Sequence, residues 1–157
     1  MNRNASINPK LDNTFMQAAL AETGKALAED EVPIGAVLVK DNEIILSDHN
    51  RTRQLSNPLA HAEKLIIDSI TATGIKYLYD YTLYVTLEPC HMCAGMLIWS
   101  RLGRLVFASA DPKAGCVGSV YNLLKDGHFN HHPAVTYGIL AEESGEILKQ
   151  FFRDKRN

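Results

Sequence analysis

The sequence predicts an α/β fold: a three-layer α/β/α arrangement in which helices cover both faces of a five-stranded mixed β-sheet. Helical and strand patterns alternate along the chain in the order α-β-β-α-β-α-β-β-α. A strand, a helix and another strand in succession indicate a parallel crossover, whereas two strands joined by a short turn indicate an antiparallel hairpin. With 157 residues, of which 46% are apolar, the chain is long enough to bury one core, so we expect a single domain over residues 1–157.

Capping and turn residues divide the first half of the chain. The predicted segments are, in order, a loose leader over residues 1–11, a helix from Asp12 to about Ala28, strands over Ile34–Lys40 and Glu43–Ser47, and a helix from Asn57 to about Gly74. Asp12 and Asn13 are both residue types that cap helix N-termini. Asp41-Asn42 is a turn signal that would join the two strands as a hairpin. Asn57-Pro58 pairs a capping asparagine with a proline suited to the first helical turn.

The second half of the chain predicts three strands and two helices. The predicted segments are a strand over Thr82–Leu87, a helix over Cys90–Ser100, strands over Leu105–Ala108 and Ala134–Tyr137, and an amphipathic helix over Ala141–Phe152. The first of these strands alternates in character and is rich in β-favouring residues. Because a helix separates it from the next strand, we expect these two strands to be parallel.

Composition excludes several classes of protein. The formal net charge of −2, from 16 Lys+Arg against 18 Asp+Glu, is not that of a strongly basic nucleic-acid binder. Three cysteines do not build a disulfide framework and favour a reducing compartment, so we expect a cytoplasmic protein. The longest apolar runs, Ala36–Val39 and Ala94–Trp99, are far shorter than the ~20 residues that a membrane span needs. Met1–Asn13 lacks the apolar core of a signal peptide.

Two short motifs carry most of the chemical information, His61-Ala62-Glu63 and Glu88-Pro89-Cys90-His91-Met92-Cys93. Zinc binds thiolate sulfur and imidazole nitrogen, and a catalytic zinc site has three protein ligands and a fourth position for water. Cys90 and Cys93 would lie on one side of a helix, since positions i and i+3 are ~60° apart. The sequence therefore predicts a zinc site formed by His61, Cys90 and Cys93.

Glu63 is the residue that would move protons at such a site. A carboxylate beside zinc-bound water can accept a proton from the water and deliver it to a substrate. On a regular helix His61 and Glu63 would point ~200° apart, so they must approach the metal from different sides.

The residues alone leave three interpretations open. A Cys-x-x-Cys sequence after a strand also occurs as the redox pair of thiol–disulfide oxidoreductases. A zinc ion with a purely structural role would instead stabilise a non-catalytic module, for example one that binds RNA. The third interpretation is a catalytic zinc site, because His-x-Glu followed by Pro-Cys-x-x-Cys is the pattern of the zinc deaminases of nucleobases.

The sequence resembles the cytidine/deoxycytidylate deaminase superfamily, and within it the bacterial tRNA adenosine deaminases. The resemblance covers nearly the whole chain and rests on residues 31–37, 50–51, 60–63, 83–90, 92–96, 101–107, 111–119, 130–131, 138–140 and 151–153. The two zinc-site motifs occur across the superfamily. Asn50-Arg51, the loop Asp111–Ser119 and the sequence Phe151-Phe152-Arg153 favour the members that act on tRNA. Residues 53–57 and much of the stretch 126–132 depart from the pattern.

The resemblance implies a cytidine deaminase-like fold, a homodimer, one zinc ion per chain and the anticodon stem-loop of a tRNA as partner. The implied reaction is the hydrolytic deamination of adenosine to inosine at the wobble position, and deamination of a free nucleobase or nucleoside such as guanine or cytosine is the alternative. By position, His61, Cys90 and Cys93 correspond to zinc ligands and Glu63 to the proton shuttle. The residues that correspond to substrate contacts are Ile34, Asn50, Ala62 and Asp111.

Overall fold

A computed structural model describes residues 7–157 and contains one five-stranded sheet with helices packed on it. The strands are β1 (Gly35–Lys40), β2 (Glu43–His49), β3 (Thr82–Leu87), β4 (Arg104–Ser109) and β5 (Ala134–Tyr137). The helices are α1 (Pro9–Ala28), α2 (Ala62–Ala72), α3 (His91–Trp99) and α4 (Ala141–Arg156), with a short 3-10 helix at Leu123–Lys125. Within the described residues, no helix is long and apolar enough to cross a membrane.

The sheet is mixed, as predicted, and its strand order is β2-β1-β3-β4-β5. β1 pairs antiparallel with both β2 and β3. β3 pairs parallel with β4, and β4 pairs parallel with β5. The end of β2, the start of β1 and the ends of β3 and β4 therefore lie along one edge of the sheet, where parallel strands commonly present their functional residues.

Each face of the sheet carries an apolar core. On one face Phe15, Met16 and Ala19 of α1 pack against residues such as Val37 and Tyr84. The core of the other face includes residues of α2, α3 and the sheet, among them Leu38, Ile66, Leu83, Leu97 and Leu105. Successive strand residues point to opposite faces, so neighbouring apolar residues in β1 belong to different cores. The three-layer prediction is confirmed.

The first helix begins earlier than predicted. Residues 1–6 of the expected leader lie outside the described residues, but α1 already starts at Pro9, inside the segment assigned to that leader. Asn8 is the N-cap, and its side-chain oxygen accepts hydrogen bonds from the backbone N–H groups of Lys10 and Leu11 at 3.1 and 3.2 Å. The predicted cap, Asp12, is instead a buried residue inside the helix.

The second helix begins later than predicted, and this difference matters for the site. Asn57 does not cap a helix: its side-chain oxygen accepts a hydrogen bond from the N–H of Leu59 at 2.9 Å, which forms a local turn. α2 starts at Ala62, and His61 precedes it as the N-cap in an extended conformation, with φ −72° and ψ 152°. The histidine is therefore outside the helix that carries Glu63.

Asp12 joins three elements through a buried ionic network. Its carboxylate accepts two hydrogen bonds from Arg104, at 2.8 and 2.7 Å, and one from the Tyr84 hydroxyl at 2.6 Å. Burial acts to raise the pKa of Asp12, but the hydrogen bonds from Arg104 and Tyr84 outweigh it and hold that pKa below its usual 3.8. The network therefore stabilises the fold above the unfolded-state pKa of Asp12, and this stabilisation is lost as the pH falls through the lowered value.

We expect Asp12→Asn to lower the free energy of unfolding by about 3–5 kcal/mol, because it removes the buried negative charge and one of the two acceptor oxygens that face the Arg104 guanidinium. Urea denaturation of both proteins at neutral pH measures the difference. The difference should shrink in acid, where the wild-type carboxylate is itself protonated. A destabilisation that stays the same at every pH would contradict the assignment of this effect to the carboxylate charge.

Candidate metal centre

Two helix N-termini converge beside the edge of the sheet. β3 ends at Leu87, and after Glu88-Pro89 the chain enters α3 with Cys90 as its N-cap. His61 holds the same position before α2, and the N–H of Leu65 donates to its backbone oxygen at 3.0 Å. The start of a helix carries free N–H groups and a partial positive charge, which favours a thiolate over a thiol.

His61, Cys90 and Cys93 form a compact group of metal-binding atoms. One ligand atom from each residue lies within 4.8 Å of the others. Nδ1 of His61 faces both sulfurs, at 3.6 Å from Sγ of Cys90 and 3.5 Å from Sγ of Cys93. Tetrahedral zinc with bonds of about 2.3 Å to sulfur and about 2.05 Å to nitrogen places these atoms roughly 3.6 Å apart. The donor types and the distances between them therefore fit a zinc ion, with Nδ1 as the histidine ligand.

The protonation of the two cysteines is unequal. Hydrogen bonds from Cys93 and His61 lower the pKa of Cys90 to about 3. The hydrogen bond to Cys90, together with burial, raises the pKa of Cys93. The interaction with Cys90 likewise raises the pKa of His61. Cys90 is thus an anionic sulfur at neutral pH, which is the form that binds metal ions.

Glu63 lies in the first turn of α2 and is only 4% exposed. Burial raises the pKa of its carboxyl group, while His61 and Cys93 nearby act in the opposite direction. The divergence of ~200° applies to two residues within a regular helix, whereas His61 precedes α2 in an extended conformation. A buried carboxyl group with a raised pKa, beside three metal-binding atoms, is suited to exchange protons near neutral pH.

Glu88 has a structural role that the sequence analysis missed. Its carboxylate accepts hydrogen bonds from the backbone N–H groups of Asp111, Val117 and Ser119 at 3.0–3.1 Å, and from the Ser119 hydroxyl at 2.5 Å. The loop after β4 is thereby fixed next to the end of β3. Gly115 packs so closely that a Cβ atom there would lie 2.3 Å from the Glu88 carboxylate. The sequence does contain one signal for this role of Glu88, namely a carboxylate directly after a buried strand together with glycines in a later loop.

The four predicted substrate-contact residues lie on three parts of the fold: the edge of the sheet, the start of α2 and the loop after β4. Ile34 and Asn50 are joined at the sheet edge, where the N–H of Asn50 donates to the Ile34 carbonyl at 3.0 Å. Ala62 is fully buried as the first residue of α2, between His61 and Glu63. Asp111 accepts hydrogen bonds from the N–H groups of residues 113 and 114, so its carboxylate stabilises a turn in the loop after β4.

Glu31 is a second carboxylate that the sequence analysis gave no role. It is completely buried and accepts hydrogen bonds from the N–H groups of Gln54 and Arg53 at 2.7 and 3.1 Å. The Asn50 amide nitrogen lies 3.4 Å from the same carboxylate. Glu31 therefore fixes the loop after β2 and the side chain of Asn50 together. A charged residue between a helix and a strand is ordinarily solvated, so the sequence offers no local signal for this role.

A comparison with protein families agrees with this geometry. The profile of the family described as the cytidine and deoxycytidylate deaminase zinc-binding region matches residues 9–109. The chain belongs to this deaminase family. The match includes both zinc-site motifs as well as Glu31 and Asn50.

Several members of the deaminase family are similar over most of their length. A tRNA-specific adenosine deaminase of Bacillus subtilis (strain 168) is 48% identical over 146 residues, which cover 92% of this chain and 91% of that protein. One of Agrobacterium fabrum is 46% identical over 143 residues, with coverages of 90% and 94%. One of Aquifex aeolicus is 43% identical over 144 residues, with coverages of 91% and 95%.

Solved structures of deaminases share the fold. A structure from work on A-to-I editing by tRNA:A34 deaminases at the wobble position has 44% sequence identity and a TM-score of 0.82, and the match covers 86% of this chain and 99% of that one. A guanine deaminase of Nitrosomonas europaea has a TM-score of 0.70 at 21% identity, over 96% of this chain and 90% of that one. At that identity the likeness concerns the fold alone.

Proposed function

We propose that this deaminase converts adenosine to inosine by hydrolysis at the wobble position of a tRNA anticodon, as a single zinc-dependent domain over residues 1–157. The observation that carries the proposal is the group of His61, Cys90 and Cys93 with Glu63 buried beside it. The relatives at 40–48% identity, all of them tRNA-specific adenosine deaminases, support the choice of substrate.

In this proposal His61 Nδ1 and the sulfurs of Cys90 and Cys93 bind one zinc ion per chain. When bound by three protein ligands, zinc supplies a water molecule whose pKa is lowered towards ~7. The N-terminus of α3, which carries both Cys90 and Cys93, favours the thiolate form that binding requires. These residues therefore hold and orient the reactants, and proton transfer is left to Glu63.

Glu63 acts as the proton shuttle. Its carboxylate accepts a proton from the attacking water and delivers it to N1 of the adenine, as the water oxygen adds to C6. The carboxylate then takes the second proton from the hydroxyl now on C6 and donates it to the amino group. The C6–N bond breaks, ammonia leaves and the C6 carbonyl of inosine forms. Its burial excludes bulk water and raises the pKa of the carboxyl group, so the group can both accept and return a proton.

The proposed substrate contacts are Ile34, Asn50, Ala62 and Asp111. An adenine stacked in a duplex is out of reach of a recessed site, so the base must come from a loop such as that of an anticodon. The Asn50 amide has both a donor and an acceptor group and can pair with the edge of a purine. Ile34 and Ala62 supply apolar surface, and Asp111 lies in the loop fixed by Glu88.

We further propose that the enzyme is a cytoplasmic homodimer. Trp99 at the end of α3 is 80% exposed, and a large exposed aromatic side chain is typical of a protein interface. The three cysteines, two of them in the metal centre, fit a reducing compartment. Sedimentation at several protein concentrations tests the dimer, and a monomer at all of them would contradict it.

A substrate panel tests the reaction. We expect the purified protein, with about one zinc ion per chain, to form inosine in an anticodon stem-loop that has adenosine at the wobble position. The same enzyme should not turn over free adenosine, guanine or cytosine. Nucleoside analysis by chromatography after digestion of the RNA measures the product. Turnover of a free base without inosine in the stem-loop would favour the nucleobase deaminase instead.

A further inference from the structure

A buried histidine at the end of β2 lies between two carboxylates. His49 is 1% exposed, and both of its ring nitrogens face carboxylate oxygens of α1 and its C-cap. Nδ1 is 3.1 Å from Oε2 of Glu22, and Nε2 is 2.7 Å from Oε2 of Glu29. The ring therefore bridges the middle and the end of α1 to the last residue of the strand.

The bridge requires a doubly protonated ring. An ionised carboxylate only accepts hydrogen bonds, so each ring nitrogen must donate one, and only the imidazolium form has two N–H groups. The hydrogen bond with His49 holds the pKa of Glu29 below its usual value. Burial acts to raise the pKa of Glu22, but its hydrogen bonds with Lys25 and His49 outweigh this effect.

Other charged groups around the ring complete the cluster. Lys25 contacts Glu22 at 2.8 Å, and Arg51 contacts Asp48 at 2.7 Å and Glu29 at 3.7 Å. Asp48 also lies 3.8 Å from Nδ1 of the histidine. Three carboxylates thus face two permanently cationic side chains, and the charges balance when the histidine carries the third positive charge.

His49 immediately precedes a proposed substrate contact, Asn50, in the chain. The N–H of Asn50 donates to the Ile34 carbonyl at 3.0 Å. The paths of the backbone on both sides of Asn50 are therefore fixed by carboxylates: Glu22 and Glu29 before it, and Glu31 after it, through the N–H groups at 53 and 54. A shift of the histidine would move the asparagine with it.

We propose that His49 is a positioning residue for the deamination, and that its imidazolium, bound between Glu22 and Glu29, fixes Asn50 in the orientation that binds the substrate base. This inference rests on the proposed function. It assigns a role in substrate binding to a side chain that does not itself reach the substrate. The expected signature is a change in KM rather than in kcat, because an asparagine that binds the base contributes to the ground state and the transition state alike.

The first test is kinetic. His49→Gln retains polarity and size but can donate to only one of the two carboxylates. We expect it to raise KM for the anticodon stem-loop by about tenfold, the factor that corresponds to losing one charge-assisted hydrogen bond. We expect kcat to stay within about twofold of wild type, and the zinc content to be unchanged.

The second test changes the other end of the bridge and also serves if His49→Gln fails to fold. Glu29→Gln keeps the shape of the bridge, since the amide oxygen still accepts a hydrogen bond from Nε2 of the ring. It replaces an ionised acceptor with a neutral one and so weakens that hydrogen bond. We expect KM for the stem-loop to rise above the wild-type value, by less than in His49→Gln, with kcat and zinc content unchanged.

Asp12→Asn is the matched control. It also breaks a buried ionic network of α1, but Asp12 makes no contact with the loop after β2 in that network. It should lower stability without changing KM. The inference is overturned if His49→Gln has the KM of this control, or if Glu29→Gln has the KM of the wild type. If wild-type protein forms no inosine in the stem-loop, the proposed function fails instead, so the two failures are distinguishable.

Discussion

Replacing Glu63 with glutamine should reduce the rate of inosine formation by a factor of about 10²–10⁴, the usual contribution of a general acid–base group. Glutamine has almost the same shape as glutamate but cannot accept the proton of the attacking water. The side chain is buried beside the metal-binding atoms, and solvent cannot take over its role. Single-turnover kinetics on the anticodon stem-loop measures the loss, and elemental analysis should still find about one zinc ion per chain.

Asp68→Asn is a suitable control for this variant. Asp68 is an exposed residue of the same helix and forms an ion pair with Lys64 at 2.5 Å. Its loss should leave both the rate and the zinc content unchanged, because exposed ion pairs contribute little to stability. Wild-type turnover in Glu63→Gln would refute the proton shuttle. Loss of zinc together with activity would assign Glu63 to the integrity of the metal centre rather than to proton transfer.

Replacing a metal ligand should remove the zinc as well as the activity. His61→Ala and Cys90→Ser each leave two of the three donor atoms in the group, and such a pair binds zinc far more weakly. We expect the zinc content of the purified variants to fall from about one ion per chain to near zero, and inosine formation to fall to the background rate. Elemental analysis and the stem-loop assay measure both quantities on the same sample.

The third cysteine provides the control. Cys116 is buried and its thiol donates to the Ala114 carbonyl at 3.5 Å, outside the three-residue metal-binding group. Cys116→Ser should therefore retain its zinc. Full zinc content in Cys90→Ser, or loss of zinc in Cys116→Ser, would show that the ligand set is assigned wrongly. In the wild-type protein, a full zinc content without inosine formation would favour a structural ion over a catalytic one.

Local sequence patterns predicted the helices and strands well where interactions between neighbouring residues decide the structure. Alternating and apolar runs predicted all five strands, and their lengths differ from the structure only at the ends. The Cys90-x-x-Cys93 spacing directly predicted two sulfurs on one side of a helix start. Helix starts were harder. Asn8, Asp12 and Asn57 are all good caps by residue type, and the choice among them depends on tertiary burial of Asp12 and on a local turn at Asn57.

The parts that could not be predicted depend on contacts between distant segments. Glu31 and Glu88 accept hydrogen bonds from loops more than twenty residues away, and the residues next to them in the sequence do not show which loop donates these bonds. His49 is also held by partners 20 and 27 residues away. Polar residues that are buried and satisfied by remote partners look like ordinary surface residues in a sequence. They become visible only when the strand pairing is known, since β1 places its start beside the end of β3.

The two loop-fixing carboxylates have a consequence for how enzymes of this kind diverge. Glu31 and Glu88 bind mainly to backbone N–H groups, which every residue except proline provides. The side chains at positions 53 and 54 are exposed and can therefore be exchanged during evolution while the loop keeps the same path. New substrate preferences can be selected on this loop without rebuilding the metal centre, and proline is the one residue that both positions should exclude.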